Sequence, residues 1–444
     1  MTTENKLLTP KIILAETLRL VHQEASFISN INKSYDKKFA KKGAKVGDTI
    51  EVRLPNQYTV RRGAKMEPQD TKETKKKIKI SNQIGVDIEF TSKELTLDLD
   101  RFSERFLVPA AKALVSNIES SILSAVHPKI TSWSLVRNND PIFKKILEGN
   151  ERLSAKLCPD DNHRHFWMNT HDSANLLDEV KGLFNPQEKM SSLHSSGHLG
   201  RIANNNFYTN THLQTFSNDL VNDSNPGESG TLVLKKPIRR APKDGEPIRE
   251  LFLSWKYNRE GTGHEKEDTI YKALESDKIK PGTGIEIKDL LMLHSQTKEL
   301  LPYHWRGVVT ECVSQDEETS KVTIDPPIYW EDEVTINSNV GTFDKNLSQI
   351  TESELVNLAL IKKTPLDMPP RLMIQAHRDA FVFGTADLVM PDGVDFKSRQ
   401  NHEGISMRII RKYDYKQDSF PCRIDILYGY EYLRDEMAHK YFCE

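Results

Sequence analysis

The chain has 444 residues, 37% apolar and 28% charged, a soluble globular mix long enough for two or three domains. Lys and Arg (62) nearly cancel Asp and Glu (64), leaving a formal charge of −2. A dedicated nucleic-acid binder would carry a clear basic excess, so the balance argues against one.

No run approaches the roughly 18 apolar residues needed to span a bilayer. The opening stretch lacks a basic segment followed by an unbroken apolar one, so no secretory leader is expected. The four cysteines, Cys158, Cys312, Cys422 and Cys443, form no C-x-x-C pair. That usage fits reduced thiols in a cytosol, not a disulfide framework or a zinc ribbon.

Thr9-Pro10 opens a predicted helix, Thr as N-cap and Pro in the first helical position. Leu14, Leu18, Val21, Ala25 and Ile28 follow at spacings of four and three, one apolar seam. Such a seam usually docks on its own core. Here it is terminal and precedes a charged linker, so burial on a neighbouring chain is a second reading.

Ile50, Val52 and Leu54 then alternate with polar residues, as do Ile78 and Ile80 and, further on, Val86, Ile88 and Phe90. These are strand patterns. Between them lies "RRGAKMEPQDTKETKKK", nearly free of apolar residues. The spacing predicts a long hairpin over residues 47–90, which has little stability alone and needs a neighbour to lie on. Its basic residues Arg61, Arg62, Lys65, Lys75, Lys76 and Lys77 are interleaved with acids, Glu67 among them. Mixed signs favour docking on another protein over stacking on nucleic acid.

The strongest predicted helix follows, with Leu114, Ile118 and Ile122 at helical spacing. Pro109 falls inside the wider pattern, so a break is expected there and a long segment over 109–126. Residues 164–230 read as mixed α/β: "FWMN" as a strand, "HDSANLLDEVKGLF" as a helix, "GRIANNNFYTNTHL" as a turn and strand. From about 228 to 340 short alternating runs broken by turns predict a small β-barrel or sandwich. "TESELVNLALIKK" reads as a helix and "CRIDILYGYEYL" as a strand. The whole is an α+β body with a β-rich insertion.

Candidate chemistry is sparse. His377-Arg378-Asp379 matches a kinase catalytic triplet, but Gly384 stands where the Asn should be, and no phosphate loop or D-F-G accompanies it. Cys158, His163 and His165 are close in sequence without a fourth metal ligand at a recognisable spacing. His194 and His198 read as loop. There is no G-x-S-x-G, H-E-x-x-H or Walker loop. No catalytic residue, metal ligand or cofactor site is assigned, and the chain reads as a non-enzyme.

The order of segments resembles the major capsid proteins of tailed bacteriophages, of the Hong Kong 97 type. "AKALVSNIESSILSAV", with Asn117-Ile118-Glu119, is similar to that family's spine helix. "LGRIANNNFYTNTHLQTF" resembles its loop-and-strand, "AHRDAFVFGTADL" its late helix, and "CRIDILYGYEYLRDEMAHKYF" its closing strand. The β-rich stretch around "KIKPGTGIEIKDLLML" is similar to the extra domain in coat proteins of short-tailed Salmonella phages.

The resemblance implies an N-terminal arm (1–46), an extended hairpin or E-loop (47–90), and a spine helix with the first part of the peripheral domain (91–160). It further implies the first part of the axial domain (161–227), the inserted β-rich domain (228–340), and a return to axial and peripheral domains (341–444). It implies pentamers and hexamers of the chain itself, in which the arm seam and the hairpin would touch neighbours. It also implies a scaffolding protein, a portal protein, possible decoration, non-specific contact with packaged DNA and no membrane. The place would be the virion, after assembly in the bacterial cytoplasm with a procapsid that matures. A non-viral shell of the same fold and a soluble nucleic-acid-binding protein are the alternatives.

Overall fold

The computed structural model describes residues 25–35, 49–54, 65–66, 75–91, 108–137, 140–180, 198–213, 371–402 and 404–443, with shorter runs between 230 and 358. It is sheet-rich with few helices and divides into two compact units. One holds residues 1–56, 71–123 and 378–433; the other holds 57–70, 124–377 and 434–444.

Strands β1 (Asn32–Tyr35), β2 (Thr49–Arg53), β3 (Lys75–Lys79) and β4 (Asn82–Thr91) come first. The pattern over 78–90, expected as one hairpin arm, is split at residues 80–81. β3 pairs with β2 over five residues, and β4 leaves the ribbon altogether. Helix α1 (Val108–Val126) follows. Pro109 lies in its first turn, where a missing N–H costs nothing, so the proline starts the described helix instead of kinking it.

Beyond the 3-10 turn His127–Lys129 come β5 (Trp133–Val136), α2 (Ile142–Ala155), β6 (Arg164–Met168), α3 (Thr170–Val180), β7 (His198–Ile202) and β8 (Asn205–Thr209). Ile142, Ile146, Gly149 and Leu153 form the buried seam of α2. Its first N–H groups are met by an acid from α3: Glu179 accepts from Ile142 N at 2.8 Å and Phe143 N at 2.9 Å. Asn169 Oδ1 accepts from Asp172 N at 2.9 Å and so caps α3.

Residues 230–358 then supply β9 (Gly230–Leu234), β10 (Ile238–Arg239), β11 (Ile248–Arg259), β12 (Asp268–Lys272), β13 (Gly284–Leu293), β14 (Leu300–Ser314), β15 (Ser320–Ile328), β16 (Gly341–Phe343), β17 (Gln349–Ile350) and β18 (Val356–Leu358). Eight of these form one antiparallel sheet, ordered β12-β11-β15-β14-β13-β16, with β9 also on β11 and β18 also on β13. Its core is Leu251, Leu253, Ile285, Ile287, Trp305, Val309, Val322 and Ile324. In β15 buried and half-buried residues alternate without exception, the pattern expected where one face meets a core. The helix expected over "TESELVNLALIKK" is not seen in its described part: Val356, Asn357 and Leu358 pair with Ile287, Glu286 and Ile285 as strand. The remainder lies outside the described residues.

The chain closes with β19 (Arg371–His377), β20 (Phe381–Ala386), β21 (Phe396–His402), β22 (Ile405–Arg411), β23 (Ser419–Tyr432) and β24 (Ala438–Cys443). Here the expected late helix is overturned. "RLMIQAH" and "FVFGTA" are strands buried on both faces, joined by one 3-10 turn, Arg378–Ala380. Short, unbroken apolar runs carry no period, so burial on both sides decides for strand. In the first unit the sheet order is β1-β20-β23-β22-β21, with β4 on β23 across ten residues. In the second it is β5-β24-β19-β6-β8-β7.

Candidate functional site

The root of the arm is bolted to its own chain. Glu119 of α1 is buried, and its Oε1 accepts from Phe27 N at 2.7 Å and Ile28 N at 3.1 Å. The carboxylate thus meets the open N–H groups at the start of the 3-10 turn Ile28–Asn30. Phe27 packs on Phe381 (5.5 Å between centroids), and Phe381 on Tyr432 (5.3 Å). Next, β1 runs parallel to β20, and Asn32 Nδ2 donates to Asp379 Oδ1 at 2.9 Å.

Of the predicted arm seam, Leu14, Leu18 and Val21 lie outside the described residues. Ala25 and Ile28 are buried inside the chain itself, so these two are not free to meet a neighbour. By residue 27 the chain is already bonded to α1.

The β2–β3 ribbon is seated by its inner face, where Ile78 packs with Val382 and Leu433 and with the half-buried Val52 and Leu54. Gly429 of β23 makes the close approach possible, because a Cβ there would strike the backbone carbonyl of Lys79. The outer face carries exposed Arg53, Lys75, Lys77 and Lys79 around a single acid, Glu51. Glu51 lies 3.3 Å from Lys75 and 3.9 Å from Lys77.

Lys76 points the other way. It donates to Tyr432 O at 3.0 Å and lies over the Tyr432 ring, so this predicted interface residue is engaged within the chain. Lys65 is exposed, and beside it Met66 is 78% exposed. Arg61, Arg62 and Glu67 lie outside the described residues. On α1, Pro109 is exposed, whereas Leu114, Ile118 and Ile122 are buried.

The His377-Arg378-Asp379 triplet is dispersed by the turn it occupies. His377 ends β19, and its Nε2 meets Asp161 Oδ1 at 2.9 Å, with the His163 ring edge-on at 6.3 Å. Partial desolvation opposes ionisation of Asp161, but the His377 contact and the His163 N–H outweigh it and hold the carboxyl below its usual range. Asp379 is engaged with Asn32. His165 stacks on Trp167 and Tyr208 at 5.7 Å each, and Cys158 Sγ lies 3.8 Å from Pro159 O. Among the described residues no three His, Cys, Asp or Glu side chains are grouped to hold a metal.

Sequence reading missed the polar row on β24. His439, Lys440 and Tyr441 are all fully buried. The His439 ring lies between Ser132 Oγ (2.7 Å) and Ser134 Oγ (3.0 Å). Tyr441 Oη donates to Gln375 Oε1, and Gln375 Nε2 donates to Asn150 Oδ1 at 2.6 Å and Asn205 Oδ1 at 2.9 Å. "AHKYFC" belongs to the stretch that resembles the family's closing strand, but nothing in it marks a buried polar row. The strand pairs with β5 and β19 along its edges, and all six of its residues are buried.

No family model and no curated protein matches the sequence. Among solved structures the chain is similar to that of Mycobacterium phage Che8, at 8% identity and a TM-score of 0.43, over 94% of this chain and 90% of that one. It is similar to the capsid of Ralstonia phage GP4 at 8% identity and 0.41, over 95% and 92%. A virus-like particle from Pyrococcus furiosus is similar at 8% identity and 0.38, over 97% of both chains.

Proposed function

We propose that this chain is a shell-building subunit, the major capsid protein of a tailed double-stranded DNA bacteriophage, with the Hong Kong 97-type fold and an inserted β-rich domain. The observation that carries the reading is the β2–β3 ribbon. It is seated on one face only, pairs with no third strand among the described residues, and turns a row of four cations outward around one acid. A twenty-one-residue link (54–74), with exposed Lys65 and Met66, joins its two strands. A ribbon of this kind gains stability from a surface supplied by another molecule. The motifs that resemble the capsid family supply the identity of that molecule: a second copy.

In this reading residues 1–24 and the ribbon with its link reach neighbours in rings of five and six. The arm root at Glu119 and the ribbon root at Ile78 are the anchors that transmit load to the body. Each subunit is held by several neighbours at once, so modest contacts act together. A scaffolding protein guides the first shell, a portal occupies one vertex, and maturation accompanies DNA entry. The six-segment division expected from sequence belongs to this proposal.

The test is assembly. Co-expressed with its scaffold, the chain should give closed shells of tens of nanometres by negative-stain microscopy. A monomer that never assembles under any condition overturns the reading. Replacing residues 57–72 by Asn-Gly keeps all five β2–β3 pairs and should leave a folded subunit that assembles poorly. Normal particles from that variant would remove the link from the mechanism.

A further inference from the structure

Lys440 is a lysine with no carboxylate paired to it among the described residues. It is fully buried. Its Nζ donates to His127 O at 3.1 Å and Gly282 O at 2.8 Å, and it lies 5.1 Å from the centroid of Phe442. These two carbonyls belong to distant segments, the turn after α1 and the turn into β13. The second turn rests directly on the first. Gly282 has φ +92°, and a Cβ on it would fall 2.5 Å from Pro128 Cα. Gly284 meets the Trp133 ring just as closely. One side chain from β24 therefore ties the end of α1 to the entry of the eight-stranded sheet.

Just beyond α1, His127 feels the Lys440 charge. Arg152 of α2 and Lys156, just past its end, act on His439, the neighbouring residue, which projects from the other face of β24. From β14 comes Arg306, stacked on Trp133 at 4.8 Å and paired with Glu286 of β13 at 2.7 Å. On β24 itself is His439; β19 offers only Ile374 at this register, and β5 offers Trp133. Asp435 and Glu436 act on Lys156, and no described carboxylate is paired with Lys440.

We propose that Lys440 is a proton-operated latch, shut by a neutral amine shared between His127 O and Gly282 O and opened when a proton adds a charge that this buried site, with two carbonyls and no paired carboxylate, does not satisfy. A neutral amine has two N–H groups, matching the two carbonyls. The added charge is fully buried, with no carboxylate paired to it among the described residues.

Burial brings Lys440 down from 10.5 to about 7, and His127 from 6.5 to about 3, the Lys440 charge adding to the latter. Burial first, and then Arg152 and its neighbouring cations, hold His439 well below its usual value. Once opened, Lys440 would titrate near its ordinary value, so the opening constant rises about tenfold per pH unit as pH falls from about 10.5 to about 7, then levels off. The histidines extend the same response below about pH 6.5.

The latch does not depend on the chain forming shells, so its test uses the unassembled full-length protein. Hydrogen exchange, corrected for intrinsic rates, should be about a hundredfold faster at pH 7 than at pH 9 for peptides covering 280–284 and 438–443. Lys440→Met should abolish that difference, while Lys156→Met should leave it. Equal corrected exchange at both pH values in the parent protein overturns the latch. Should Lys440→Met fail to fold, the 13Cε shift of Lys440 in the parent reports its titration directly, and a midpoint above pH 9 is equally fatal.

Discussion

Glu119 does what a backbone segment without regular partners requires. One carboxylate oxygen takes two N–H groups that a 3-10 turn leaves open. Replacing it by Ala strands both donors in a buried site, and the cost should be about 2–4 kcal/mol. Urea unfolding measures this directly, and Glu119→Gln, which keeps one acceptor oxygen, should recover part of it. Gly149 poses a different constraint. A Cβ there would collide with Tyr441 Oη and sit 2.6 Å from Gln375 Oε1. Gly149→Ala should cost about 1–3 kcal/mol through overpacking. Because the nearest obstruction is the Tyr441 hydroxyl, the penalty should shrink but not vanish in a Tyr441→Phe background, where Gln375 Oε1 and the ring carbon remain close; a double-mutant cycle reads this coupling.

At the scale of elements, β23 organises the first unit. It carries β4 along one edge over Asn82–Thr91, and β22 and β20 in succession along the other. Its junction with the ribbon is a contact of backbone on backbone, since Gly429 faces the carbonyl of Lys79. Gly429→Ala should therefore lift β3 without dissolving the sheet. Hydrogen exchange over residues 75–79 should accelerate while that of 419–427 stays as in the parent. Equal acceleration of both stretches would mean that β3 and β23 open as one body. Half-buried Arg408 and buried Asp425, 2.6 Å apart, hold β22 to β23 on the far side and keep the sheet intact in this experiment.

For the molecule as a whole, buried ionisable groups set the pH of greatest stability. Lys440, near 7, and Lys156, near 8, both lie below the ordinary 10.5, chiefly by burial. The unfolded chain holds more protons than the folded one between those limits, so stability rises with pH above about 7. Burial pushes the thiols the other way. Cys158, Cys312 and Cys422 rise from 9.0 to about 11, and Cys443 moves well above its usual value. Their contribution is present below pH 9 and lost above it, where four thiols outweigh two lysines. The urea midpoint should accordingly peak near pH 9, and a peak at or below pH 7 would contradict the burial of these groups.

Periodicity and composition were enough for α1 over 109–126, for the strand at Arg164–Met168, the helix at Thr170–Val180, the β-rich stretch after 230 and the long strand at Ser419–Tyr432. Each is either long and regular or bounded by clear turn residues, so local chemistry decides it. Position in the fold decided the rest. The family resemblance implied a helix over "AHRDAFVFGTADL", residues 376–388; burial on both faces made strands of Arg371–His377 and Phe381–Ala386 instead. Residues 78–90 read as one hairpin arm, yet the ladder of β23 took Asn82–Thr91 for the body and left only Lys75–Lys79 for the ribbon. "AHKYFC" carries no mark of interior chemistry, and Lys440 became a buried amine because the turns at His127 and Gly282 close over it. A sequence determines the patterns a segment can satisfy locally, whereas the partners that bury it come from hundreds of residues away and set its charge state, its register and its role.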